Sequence, residues 1–197
     1  PQGYRRSWNI SDEASRAPDT RYFMEIVRDL ATHYPRARLS GISMIGFSNG
    51  AGYIFRLLIE VDEPQLISNA IPVISSMVTE QHHNSAFWKR SDDVTADYDI
   101  KVQPVTKSNI LTVHGTRDRI VPYEGGKRGR NAMHLSAQET AYYWAQQKGY
   151  KGKQLPDQNG REVSPGIISY DYKAQNVNHL KVIGAGHDLG EKGRQVE

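Results

Sequence analysis

Short apolar, β-rich runs alternate along this chain with segments whose apolar residues recur at helical spacing, and no other feature constrains the fold as much. That alternation specifies an α/β domain built on a largely parallel sheet. Four runs read as strands: residues 41–46 (GISMIG), 70–75 (AIPVIS), 109–114 (NILTVH) and 179–183 (HLKVI). Each is almost continuously apolar, as strands covered on both faces tend to be, so helices are expected on both faces of the sheet.

Three helices fit between these strands. The first spans about 20–33, with Phe23, Ile26, Val27, Leu30 and Ala31 on one stripe, Asp19 as its expected N-cap and Pro35 as its stop. The second starts just after Ser48 and carries Ile54, Leu57, Leu58 and Val61 inward before Pro64. The third opens with a capping box, Ser136 and Glu139, and ends near Gly149. Its aromatic residues Tyr142, Tyr143 and Trp144 are expected to pack. Residues 79–107 show no clear period, and a connection that long is read here as a rim or lid over a site.

The chain's 197 residues amount to one domain with a single sizeable core. No run approaches the ~18 consecutive apolar residues that a membrane-spanning helix needs. Formal net charge is +3, from 25 basic and 22 acidic side chains scattered along the chain, which gives no footprint for nucleic-acid binding. Cysteine is absent, so disulfide scaffolds, Cys-ligated metals and thiol nucleophiles are excluded.

The chemistry concentrates in three places. Gly46-Phe47-Ser48-Asn49-Gly50 matches G-x-S-x-G, the sharp strand-to-helix turn that lifts a serine hydroxyl above a sheet. The bare pattern is weak, but a strand before it and a helix after it supply the context of a nucleophile elbow. Gly46 and Gly50 are expected where the two backbone legs meet. A serine nucleophile needs a base and an orienting acid, in the chain order Ser, acid, His for this fold type. Asp118 leaves one strand in His114-Gly-Thr-Arg-Asp118, and His187 leaves another in Gly184-Ala-Gly-His187. Each of the three sits just past the C-terminal end of its own strand, the edge where open α/β sheets bind ligands. Asp188 is a poorer acid because it adjoins His187 in the chain. No phosphate or dinucleotide loop is present, and His82 with His83 lacks carboxylates at metal-ligand spacing. Phe87, Trp88, Tyr98 and Tyr123 are the aromatic candidates for contact with substrate, with packing among themselves as the alternative.

The strings GFSNGA, HGTRDRIVPYEGG and GAGH resemble the polyhydroxybutyrate depolymerase-like esterases, a group that includes feruloyl esterase-like and acetyl xylan esterase-like members of the α/β-hydrolase fold. The likeness extends to Gln2-Gly3 and Ser7-Trp8-Asn9 and covers nearly the whole chain. It implies Ser48 as nucleophile, Asp118 as triad acid, His187 as base and the Asn49 backbone N–H as one oxyanion donor. It also implies a small-molecule or polymeric ester substrate, no metal or organic cofactor, and export from the cell. His187-Asp-Leu-Gly190 departs from the Trp-Pro continuation of many relatives. Strands that precede the elbow in this family, with the loop that gives a second oxyanion donor, have no counterpart here. The strand before Ser48 would then present a long apolar edge, so a further segment or a second chain is expected to complete the sheet. A thioesterase, a dienelactone hydrolase-like enzyme, a serine peptidase and a non-catalytic binding domain are the alternative readings.

Overall fold

The computed structural model describes residues 3–11, 13, 16–34, 41–92, 97–127 and 132–189. In chain order these form α1 (Asp19–His33), β1 (Ile42–Phe47), α2 (Asn49–Glu60), β2 (Ile67–Val73), β3 (His82–His83), β4 (Ala86–Arg90), β5 (Tyr98–Val102), β6 (Asn109–Gly115), β7 (Gly126–Lys127), β8 (Met133–His134), α3 (Ala137–Gln147), β9 (Arg161–Ser164), β10 (Ile167–Tyr172) and β11 (Val177–Val182). A six-stranded sheet runs in the order β1-β2-β6-β11-β10-β9. Its first four strands are parallel; β10 and β9 extend it as an antiparallel hairpin. The fold is thus mixed α/β with a mostly parallel sheet.

Parallel crossovers are right-handed, and β1, β2, β6 and β11 advance across the sheet in one direction, so each crossover returns over the same face. The core follows that rule. Phe23 and Val27 of α1, Ile54, Phe55, Leu57 and Leu58 of α2, and Ala141, Trp144 and Ala145 of α3 form one buried cluster with Ala70, Ile110, Val177 and Tyr172 of the sheet. The expectation of helices on both faces is corrected here. Among the described residues the alternating side chains stay outside that cluster, with Ile45 63% and Phe47 57% exposed. β1 is therefore half-exposed rather than covered on both sides, and it forms one edge of the sheet.

Helix details separate local from tertiary causes. The Ser136 hydroxyl accepts from the Glu139 amide at 3.1 Å while the Glu139 carboxylate accepts from the Ser136 amide at 2.9 Å, so the capping box forms as read. Gly149, at φ +98°, follows the end of α3 in the conformation that ends many helices. Asp19 is not the N-cap: it is the first helical residue, and its carboxylate turns back to accept the Asn9 amide proton at 2.6 Å. Of the α1 stripe only Phe23 and Val27 are buried, and Leu30 is exposed because the last turns run clear of the core. Pro35 lies outside the described residues. Helix α2 is buried all round from Ala51 to Ile59 rather than along one face. Even Arg56 has no exposed surface; its Nε donates to both Glu60 oxygens at 3.0 Å.

Within 79–107, His82–His83, Ala86–Arg90 and Tyr98–Val102 pair as a three-stranded antiparallel sheet, β3-β4-β5, where the sequence shows no clear period. Phe87 on β4 meets Trp144 on α3 with ring centroids 4.8 Å apart, which joins the small sheet to the core. Trp144→Ala is expected to cost about 3–5 kcal/mol, because a fully buried indole leaves a cavity between two elements. Urea unfolding checks this, and a loss under about 1 kcal/mol would contradict the packing described.

Candidate active site

Three strand ends build the site. Ser48 leaves β1, Asp118 follows β6, and His187 follows β11. Ser48 sits at φ +52°, ψ −118°, a conformation that is costly for a residue with a Cβ and persists where surrounding structure enforces it. The enforcement is visible. The Ser48 amide donates to the Val73 carbonyl at 3.0 Å on one side of the turn, and the Ser48 carbonyl accepts from Ala51 at 2.9 Å on the other. A Cβ at Gly46 would overlap the Gly50 carbonyl, so glycine is needed there. Gly50 is different: among the described residues a Cβ would meet nothing within 4 Å, and none of them approaches the backbone closely enough to explain that glycine. Gly46→Ala is expected to lower activity at least about tenfold by displacing the turn, whereas Gly50→Ala leaves it within about threefold; parallel kinetics of the two variants check this.

The loops carrying Asp118 and His187 are stitched together. The Thr116 amide donates to the Val182 carbonyl at 3.0 Å, the Arg117 amide to Ala185 at 2.9 Å, and the Gly184 amide to the Thr116 hydroxyl at 2.9 Å. Gly115 permits this, since a Cβ there would overlap the Ala185 carbonyl.

The structure brings Ser48, Asp118 and His187 together. His187 Nδ1 lies 2.8 Å from Asp118 Oδ2, and His187 Nε2 lies 2.7 Å from Ser48 Oγ. A carboxylate only accepts, so Nδ1 carries the proton and donates it, leaving Nε2 to accept from the serine hydroxyl. Asp118's side chain is fully buried while that of His187 is 24% exposed, which shields the carboxylate and leaves the imidazole open to a molecule arriving from solvent. Burial alone would raise the Asp118 carboxyl. Hydrogen bonds from His187 and from the Val121 and Ile120 amides, the last two at 2.9 and 2.7 Å on Oδ1, outweigh it and hold the group below the usual carboxylate range.

Asn49 opens α2, placing its backbone N–H among the unpaired donors of a helix N-terminus beside Ser48. Its side chain is committed elsewhere: Oδ1 accepts from the Trp8 amide at 2.6 Å, and Nδ2 donates to the Trp8 carbonyl and to Glu13. Trp8, stacked on Tyr53 at 4.2 Å, thereby anchors the N-terminal segment against the elbow.

The aromatic candidates are placed mostly away from any ligand. Phe87 and Tyr98 are buried, Phe87 against Trp144 and His82, and Tyr98 with its hydroxyl donating to the Ile10 carbonyl. Tyr123 is buried with its hydroxyl 2.8 Å from His179 Nε2. Trp88 is half-buried and stacked on His83, while His82 stacks on Tyr143. A cleft of about 680 Å³ near the start of α1, lined by Tyr4, Arg16, Tyr22 and Glu25 among others, contains none of the triad residues. His114 is the site neighbour the motifs did not single out: its Nε2 lies 3.2 Å from Asp118 Oδ2. A signal was present in the sequence, a histidine four residues before the acid at the end of an apolar strand.

Neither the family models, nor the curated proteins, nor the solved structures contain a match to this chain. Geometry and chemistry alone carry the assignment of the site.

Proposed function

We propose that the chain is a serine carboxylic-ester hydrolase of the α/β-hydrolase type, working through an acyl-enzyme. The observation that carries this reading is the continuous relay from Ser48 through His187 to Asp118, at 2.7 and 2.8 Å, assembled from three parallel strand ends. Ser48 Oγ attacks the ester carbonyl carbon as His187 Nε2 takes its proton. The tetrahedral oxyanion is stabilised by the Asn49 N–H at the start of α2. Collapse breaks the bond to the alcohol oxygen, which leaves with the proton from His187. Water, deprotonated by the same nitrogen, then attacks the acyl group; the carboxylic acid departs and Ser48 regains its proton. Asp118 holds the imidazole in the tautomer that makes each transfer possible and stabilises its positive form. The likeness of GFSNGA, HGTRDRIVPYEGG and GAGH to polyhydroxybutyrate depolymerase-like esterases favours an ester over other acyl donors.

A side-by-side rate comparison tests the reading, with 4-nitrophenyl acetate, a thioester of the same acyl group and a dipeptide amide. The ester is expected to turn over fastest, with a pre-steady-state burst of nitrophenolate stoichiometric with protein. Faster thioester or peptide cleavage would move the chain to another acyl-transfer class. Ligand binding without turnover of any of the three would make the site non-catalytic.

A further inference from the structure

His114, next to last in β6, is only 1% exposed, yet one of its nitrogens reaches the triad acid. Nε2 lies 3.0 Å from the Val121 carbonyl oxygen and 3.2 Å from Asp118 Oδ2. Both are acceptors, so Nε2 carries the proton and shares it between them. In that tautomer Nδ1 is bare, and among the described residues this buried atom has no hydrogen-bond partner. A second proton would find no acceptor there, and burial holds the ring below the ordinary histidine pKa. His114 is therefore a neutral donor of fixed orientation.

Its bond is not needed to shape the turn. The Ile120 and Val121 amides already hold Oδ1, at 2.7 and 2.9 Å. The His114 bond goes to Oδ2, the oxygen that His187 Nδ1 meets at 2.8 Å. Around this pair stand His187 from the loop after β11, His179 from β11, Tyr123 from the turn after β6 and His134 from β8. Tyr123 meets the His114 ring edge-on at 5.7 Å, and Lys181 of β11 lies 5.3 Å from the Tyr123 ring centre. His179, its nitrogens 2.8 Å from the Thr112 and Tyr123 hydroxyls, is pushed down by burial to about 3; burial also lowers His134.

We propose that His114 is a positioning residue for hydrolysis: its Nε2–H pins Asp118 Oδ2 toward His187 and draws negative charge away from it. The inference rests on the serine-hydrolase reading of the site. Losing the donor leaves Asp118 Oδ2 less firmly aimed and more strongly basic, which favours the charged imidazolium of His187 and withholds the neutral base until higher pH.

The test compares His114→Phe, which keeps a ring without the donor, with His114→Gln, which restores an N–H, by kcat and KM for 4-nitrophenyl acetate across pH. His114→Phe is expected to lower kcat about tenfold with KM little changed, and to move the acid limb of kcat/KM up by roughly half to one pH unit. His114→Gln is expected to recover most of the rate and the limb. An unmoved limb in His114→Phe, or a Gln variant as impaired as Phe, overturns the role. Should His114→Phe fail to fold, ¹⁵N-histidine NMR of the unaltered protein at neutral pH decides: His114 is expected to be the neutral Nε2–H tautomer. A charged ring or an Nδ1–H tautomer would contradict the proposal. Unaltered protein inert toward the ester, without labelling of Ser48 by a fluorophosphonate, overturns the hydrolase reading and this role with it. Active protein with an insensitive limb overturns this role alone.

Discussion

Asp118→Asn is expected to lower kcat for a short-chain 4-nitrophenyl ester by about 10⁴-fold with the backbone unchanged. Oδ1 of Asp118 accepts two backbone N–H groups, from Ile120 and Val121, so an asparagine must turn its carbonyl oxygen to that side. Its NH₂ group then replaces Oδ2 and faces His187 Nδ1, which is able to pair with it only as an acceptor. The imidazole proton moves to Nε2 and points at Ser48, and the base no longer takes the hydroxyl proton. The variant also has an acid-side signature. The Asp118 carboxyl, held below its usual range when folded, contributes stability that is present above its unfolded pKa of about 3.9 and is lost as pH falls through the folded value. Urea unfolding of Asp118→Asn is expected to show a shallower loss over that acidic window. Full retention of kcat would place the proton elsewhere and contradict the assigned tautomer.

Ser48→Gly couples loss of activity to a gain in stability. Removing the hydroxyl that the proposed mechanism uses as its nucleophile is expected to lower kcat by about 10⁶-fold. The same change relieves a side chain held at φ +52°, ψ −118°, worth roughly 1–3 kcal/mol, against roughly 0.5–1 kcal/mol for the greater freedom of glycine in the unfolded chain. A net gain of about 1 kcal/mol corresponds to a Tm higher by about 2–4 °C for a chain of this size. Calorimetry beside the kinetic assay checks both halves. A variant that loses activity and also melts lower would mean that the hydroxyl, not the turn, sets the balance.

The triad was legible because each member follows a strand whose apolar run is local, and the parallel order of those strands brings their C-terminal ends to one edge. Gly46 was legible for the same reason, through the turn it permits. The β9–β10 hairpin gave no such signal: Arg161–Ser164 is exposed at every residue, so its pairing depends on the edge it joins rather than on a hydrophobic pattern. The one-sided cover of the sheet follows from strand order, which no single run encodes. Phe87 and Tyr123 looked equally suited to a ligand or a core because aromatic side chains serve both, and only the neighbours Trp144 and His179 settle their burial. Arg56 runs against composition altogether. A charged residue in the middle of α2 reads as a solvent-facing position, yet Glu60 one turn later lets it be buried as a pair.

A hydroxyl made nucleophilic by its neighbours is the central claim, and intact-mass spectrometry after incubation with a fluorophosphonate tests it most directly. The expected result is one phosphonyl adduct per chain, mapped to Ser48 within the Gly46–Gly50 turn, absent from Ser48→Gly and strongly slowed in Asp118→Asn. No adduct on folded protein, or an adduct on another residue, would contradict the account.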